Sequence, residues 1–200
     1  MHQSSLGTLF LIMPDKLNAL WHTPIIPVLF LVSAIGAGIA MVIFESILSA
    51  KAFKKEVEME ALSALAMGIP WVLGIYFILK IGDLYFSKEL GLIFKGDKMS
   101  NLFLLEMIIG VVLPFFLFLS ENFRKNQKKL FTGALLIILG LMLNRFNVSL
   151  FAIQAPEGAS YFPHIMEILI TTELFSAGAL IYYLVAKNFP VFAAETHAVK

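Results

Sequence analysis

Five blocks of about twenty apolar residues, parted only by short polar stretches, leave this chain few ways to fold. The hydrocarbon core of a bilayer is about 30 Å thick, and at about 1.5 Å per residue a helix of roughly 20 residues crosses it. The blocks run over residues 24–48, 61–81, 102–119, 130–150 and 162–186. Their apolar residues are contiguous and do not alternate with period two, so the pattern predicts helices and not barrel strands. Composition agrees: 59% of residues are hydrophobic and 14% charged, with mean hydropathy +0.85, outside the range of ordinary soluble domains. The fold class expected is all-α, a polytopic membrane helical bundle of about five transmembrane helices. Residues 1–23 read as a re-entrant or surface segment at the outer face, 24–187 as the five-helix bundle and 188–200 as a cytoplasmic tail.

Orientation follows from the loops. Lys51, Lys54, Lys55, Arg124, Lys125, Lys128, Lys129, Lys187 and Lys200 fall on one side, and only Lys16, Lys88, Lys95 and Lys98 on the other. The richer side, with the C-terminus, is expected in the cytoplasm. Met1 to Gln3 has no basic region and the first apolar run is interrupted by Pro14 and Asp15, so no signal peptide is expected. The chain has no cysteine, which excludes disulfides and thiolate-ligated iron-sulfur clusters within it. Its histidines, His2, His22, His164 and His197, are not central in any block, so no haem is expected in this chain and no metal site of its own.

Ionisable residues inside the blocks are the candidates for function. Arg145 sits in LLIILGLMLNRFNVSLFAI, where an unpaired guanidinium costs about 2.5–3.5 kcal/mol even on the lenient insertion scale. Glu106 and Glu167 fall at the same outer level on neighbouring spans, and Asn144 and Asn147 add amides close by. A clamp that pairs Arg145 with Glu106 or Glu167 is the expected arrangement. Deeper lie Glu173, beside Thr171 and Thr172, and Glu45 within MVIFES; with Glu167 they suggest a proton pathway. Lys80 and Asp83 read as snorkelling side chains, and Trp21 as an indole at the membrane interface. His2, His22 and His164 share the outer level, where a quinone headgroup would find hydrogen-bond donors and a proton source. Gly36 and Gly38, with Ala34, Ala37 and Ala40, offer a small-residue helix face, and Pro70 and Pro114 predict kinks.

HQSSLGTLFLIMPDKLNALWHTPIIPVLFLVSAIGAGIAMVIFES, followed by GALLIILGLMLNRFNVSL and YFPHIMEI, resembles the NrfD/PsrC (polysulfide reductase type) family of quinone-interacting membrane subunits. The branch it looks most like is the HybB-like subunit of membrane-bound nickel-iron hydrogenases. The resemblance covers nearly the whole chain, but only the C-terminal half of those longer proteins. It implies a membrane subunit of a respiratory redox complex that links an iron-sulfur (ferredoxin-like) subunit and a catalytic subunit to menaquinone or ubiquinone. It also implies that His2 borders the quinone pocket, with Trp21 and His22 near it, and that Glu45 belongs to a proton path. The missing N-terminal half, or its equivalent, becomes a partner, and the chain a fragment or split-gene product. The location implied is a prokaryotic cytoplasmic membrane, with no nucleic-acid partner. A proton-coupled secondary transporter, which would also place carboxylates at the midplane, and a passive anchor, which would keep its turnover when Glu45 or Glu173 is replaced by Gln, are the competing readings.

Overall fold

The computed structural model describes residues 2–12, 17–153 and 164–188. Residues up to Gly158 form one compact unit and those from Ala159 a second, each taken by itself below. Among the described residues five helices are long and apolar enough to cross a membrane: Ile26–Phe53, Met59–Phe86, Lys98–Leu119, Gln127–Phe151 and Ile165–Asn188. They overrun most ends of the apolar blocks by a few residues. A helix goes on satisfying its own backbone into the polar interface until a cap or a breaker stops it.

In the first unit a short helix α1 (His2–Leu11) lies along α2 (Ile26–Phe53), which is the first span. Contact is close because Gly7 has no side chain: a Cβ there would come 2.8 Å from Pro27 Cα. The second span is two helices, α3 (Met59–Ala66) and α4 (Gly68–Phe86). Pro70 explains the break at Met67. It has no N–H for the Ala66 carbonyl, so it is placed in the first turn of a new helix, where that donor would be unused anyway.

After the short α5 (Leu90–Ile93), the third span comprises α6 (Lys98–Met107), a π-helical turn Ile108–Val112 and α7 (Leu113–Leu119). Asp97 caps α6 by accepting from the Ser100 N–H at 2.7 Å. Pro114 is the second residue of α7, and the π-turn absorbs the hydrogen bond that it removes. A single turn α8 (Glu121–Arg124) leads to α9 (Gln127–Phe146), which begins at an Asn126 cap and ends in a second π-turn, Asn147–Phe151. The described part of the second unit is helix α10 (Ile165–Asn188).

The four spans of the first unit form a ring in which α2 packs on α4 and α9, α4 on α7, and the first π-turn on α9. That last contact is backbone to backbone: a Cβ on Gly140 would stand 2.1 Å from Gly110 Cα. The small-residue face of α2 divides. Gly36 and Ala40 are buried, with Val72 Cγ1 at 3.3 Å from a Gly36 Cβ, whereas a Cβ on Gly38 would meet nothing within 4 Å.

Gly140→Ala should therefore force the third and fourth spans apart at a cost of about 1–3 kcal/mol or more. Gly38→Ala should be neutral or slightly stabilising, since it removes a glycine from a helix interior without a clash. Thermal unfolding of the two variants in mild detergent separates the outcomes.

Candidate functional site

The residues that precede the first span build the site. Asn18 starts a tight turn: its side-chain oxygen accepts from Leu20 N–H at 3.1 Å, and its carbonyl from Trp21 and His22 N–H at 2.9 and 3.0 Å. The turn is tied to the end of the fourth span by Asn18 N–H on the Ala152 carbonyl, 2.8 Å, beside the isolated antiparallel bridge Leu17–Ile153. Fixed in this way, segment 17–23 folds over one end of the four-span ring and drives Trp21 into it.

Trp21 is thus 2% exposed and not at a lipid interface as its position suggested. Its ring stands edge-on to Phe103, with centroids 5.8 Å apart, and its Nε1–H donates to Glu106 Oε2 at 3.1 Å. Lys80 is turned inward as well, at 3% exposure; its Nζ donates to the Leu20 carbonyl at 2.8 Å and lies 5.5 Å from the Phe103 centroid. Snorkelling fails because segment 17–23 covers the route to water and supplies an acceptor in its place.

Glu106, 2% exposed, is the centre of this arrangement. Oε1 accepts from Asn144 Nδ2 at 2.6 Å, and Oε2 accepts from Asn147 Nδ2 at 2.8 Å as well as from Trp21. Asn144 and Asn147 are three residues apart on a helix, so both amides reach one point on the facing span. Arg145, about 100° further round α9, faces α2 instead. Its Nη1 donates to Asn144 Oδ1 at 2.6 Å and its Nη2 to Ser33 Oγ at 3.0 Å, while the guanidinium stacks 3.6 Å from the Phe30 ring centroid. The expected direct pair of Arg145 with Glu106 is not formed. The Asn144 amide stands between them, accepting from the guanidinium and donating to the carboxylate.

Among the described residues of the first unit the other named residues make no hydrogen bond to this cluster, and those of the second unit are taken by themselves. Glu45 is exposed on α2, with no hydrogen bond or ion pair among the described residues. Glu167 and Glu173 are on α10, where Thr171 and Thr172 hydroxyls bond back to carbonyls four residues earlier. The side chain of His2 lies outside the described residues, as do residues 189–200 of the expected tail. His22 is half-buried, and its buried Nε2 has no hydrogen-bond partner among the described residues. Among the described residues no three histidines, aspartates or glutamates gather as metal ligands.

Two participants escaped the sequence reading. Tyr76 is buried beneath Lys80, and the spacing of four residues on one helix was a usable signal. Glu89, after the second span, stands within electrostatic reach of His22, Asp83 and Lys80. Partial burial, together with the Asp83 carboxylate, raises the Glu89 carboxyl above its ordinary range, against the pull of His22 and Lys80.

A family profile described as polysulphide reductase, NrfD, matches residues 6–156. A protein of Nitratidesulfovibrio vulgaris is 35% identical over 200 aligned residues, which take in 96% of this chain and 51% of that protein. The probable Ni/Fe-hydrogenase 2 b-type cytochrome subunit of Escherichia coli is 29% identical over 194 aligned residues, 96% of this chain and 49% of that subunit. The chain spans about half the length of these curated relatives. No solved structure matches. The cytochrome in the second name belongs to that relative; here every histidine is outside the five spans, so the spans present no imidazole to a haem.

Replacing Glu106 by Leu should leave three donors and the Lys80 ammonium without their acceptor and counter-charge, at a cost of about 3–5 kcal/mol. Glu106→Gln, which keeps one acceptor oxygen, should cost distinctly less in the same unfolding assay. For Glu89, a raised carboxyl means that the folded chain holds the proton more tightly than the unfolded one. Its stabilising contribution is full below the unfolded value and is lost as pH rises through the folded one. Glu89→Gln should thus be more stable than the parent near pH 7 and indistinguishable from it near pH 4, about where an unperturbed glutamate titrates.

Proposed function

The chain belongs to the NrfD polysulphide reductase family, and on that premise we propose that it is an integral membrane subunit of a respiratory redox complex. In this reading it joins an iron-sulfur partner subunit to the quinone pool, menaquinone or ubiquinone being the substrate. It lies in a prokaryotic cytoplasmic membrane with its C-terminus inside. The observation that carries the reading is the family match across residues 6–156, which takes in the first four spans.

The end of the bundle closed by segment 17–23 has the chemistry that a quinone headgroup requires. His22 offers a buried ring nitrogen with no partner among the described residues, on a turn held rigid by the Trp21, Lys80 and Asn18 bonds. Glu89 stands within electrostatic reach of His22 and of Asp83, and its carboxyl, raised above the ordinary range by partial burial and by Asp83, is a candidate to exchange a proton with a headgroup. His2, on the adjoining α1, is the further candidate at this end. Trp21 would act through position, since its N–H is already committed to Glu106.

Glu45, Glu173 and Glu167 are proposed as a proton pathway. Glu45 supports the role by its exposure: a carboxylate within a span and without a partner among the described residues calls for a neighbouring polar surface. The chain length supports the same need, because the longer relatives possess a further half that could supply it. That half, or its equivalent, is the proposed partner together with the iron-sulfur and catalytic subunits.

Purification of the tagged chain from native membranes should bring down an iron-sulfur subunit with its spectroscopic signature. His22→Phe should leave that assembly intact and lower quinone-linked turnover about tenfold or more. Purification without any iron-sulfur protein, or solute uptake by the isolated chain, would overturn the reading in favour of a carrier.

A further inference from the structure

Below Glu106 the four spans leave a cavity of about 30 Å³ between α2, α4, the π-turn Ile108–Val112 and α9. Gly110 and Gly140 contribute to its wall, and four polar side chains line it: Ser33, Tyr76, Glu106 and Asn144. Most of the remaining wall is aliphatic, so whether the space is wet depends on what those four groups still have to offer.

The hydrogen bonds on each can be counted. Ser33 Oγ donates to the Phe30 carbonyl and accepts from Arg145, which largely saturates it. Asn144 uses its oxygen on Arg145 and one N–H on Glu106, and retains a second N–H. Glu106 Oε1 accepts only from Asn144 and retains a lone pair, whereas Oε2 is filled by Trp21 and Asn147. Tyr76 is 6% exposed and its hydroxyl makes no hydrogen bond among the described residues, so donor and acceptor are both unused. A phenol buried in this way is normally bonded to protein or to water.

We propose that this cavity is a hydration site that holds one water molecule, or two, between the Tyr76 hydroxyl and Glu106. A water needs about 10–15 Å³ of such space and two to four polar partners. The Tyr76 hydroxyl, the spare Asn144 N–H and the free Glu106 lone pair supply them. The consequence concerns Glu106 itself. Trp21, Asn144 and Asn147 occupy three of its acceptor positions, and the cavity water makes the remaining one reachable by a proton from within the bundle. The proposal rests on this geometry alone and not on the redox reading above.

Radiolytic hydroxyl labelling of the full chain in native membranes tests it, because radicals formed from bound water modify the side chains that touch it. Tyr76 should be modified severalfold faster than Phe118, which is also buried and does not line the cavity. In heavy-oxygen water the incorporated label should lag behind that on surface residues. Infrared difference spectra between ordinary and heavy-oxygen water should show a hydrogen-bonded O–H stretching band in the parent that is lost in Tyr76→Phe, a substitution that keeps the ring and its packing. Labelling of Tyr76 no faster than of Phe118, or a water band unchanged in Tyr76→Phe, would show the cavity to be dry and overturn the proposal.

Discussion

A carboxylate closed inside a membrane bundle is tolerable only if its oxygens are bonded, and the grip on Glu106 sets the terms for what surrounds it. Its three donors come from two separate places, the turn before the first span and the end of the fourth. A shift of one residue in the register of the third span against the fourth would turn the carboxylate away from both amides. The same grip fixes segment 17–23 over the ring, since Trp21 cannot reach Glu106 unless the turn at Asn18 is folded in. Lys80 then finds the Leu20 carbonyl as acceptor instead of water.

The backbone is adapted to bring these groups together. Pro114 obliges the third span to release one helical bond, and the π-turn before it begins two residues after Glu106. The widened turn lets Gly110 rest against Gly140, where an ordinary pair of side chains would hold the helices further apart. A second π-turn begins at Asn147, one of the donors. Where two helices touch through glycines at one level and through long polar side chains at the next, they do not fill the space between perfectly. The cavity beside Tyr76 lies at that change of spacing.

The five spans and both proline effects were legible because they rest on local quantities: the length of an apolar run and the missing N–H of one residue. The polar groups at the ends of spans were not. Trp21 and Lys80 each have two good solutions, outward to the interface or inward to a partner, and sequence position is the same for both. The choice is made by the folding of segment 17–23 over the ring, a tertiary event with no periodic signature. Arg145 and Glu106 were expected to pair directly, but neighbouring residues on a helix point about 100° apart, so Asn144 faces the carboxylate and Arg145 faces α2. The motif LNRFNVS is better described as a pair of asparagines that hold a glutamate, with an arginine that polarises one of them from behind.

Glu106 and Glu45 show two ways of keeping a carboxylate in a membrane span. Glu106 is closed in by donors from its own unit, and the arrangement is complete in this chain apart from the one lone pair that faces the cavity. Glu45 is exposed on α2 and draws on no such donors among the described residues. An ionisable group within a span is costly unless it meets a polar partner or water, so the described residues of the first unit leave that requirement of Glu45 unmet. A Cβ on Gly38 in the same helix would meet no described residue within 4 Å, and a glycine there would let a second backbone come close. The two sides of α2 thus differ in kind: one packs into the ring through Gly36 and Ala40, and the other carries Gly38 and Glu45 exposed.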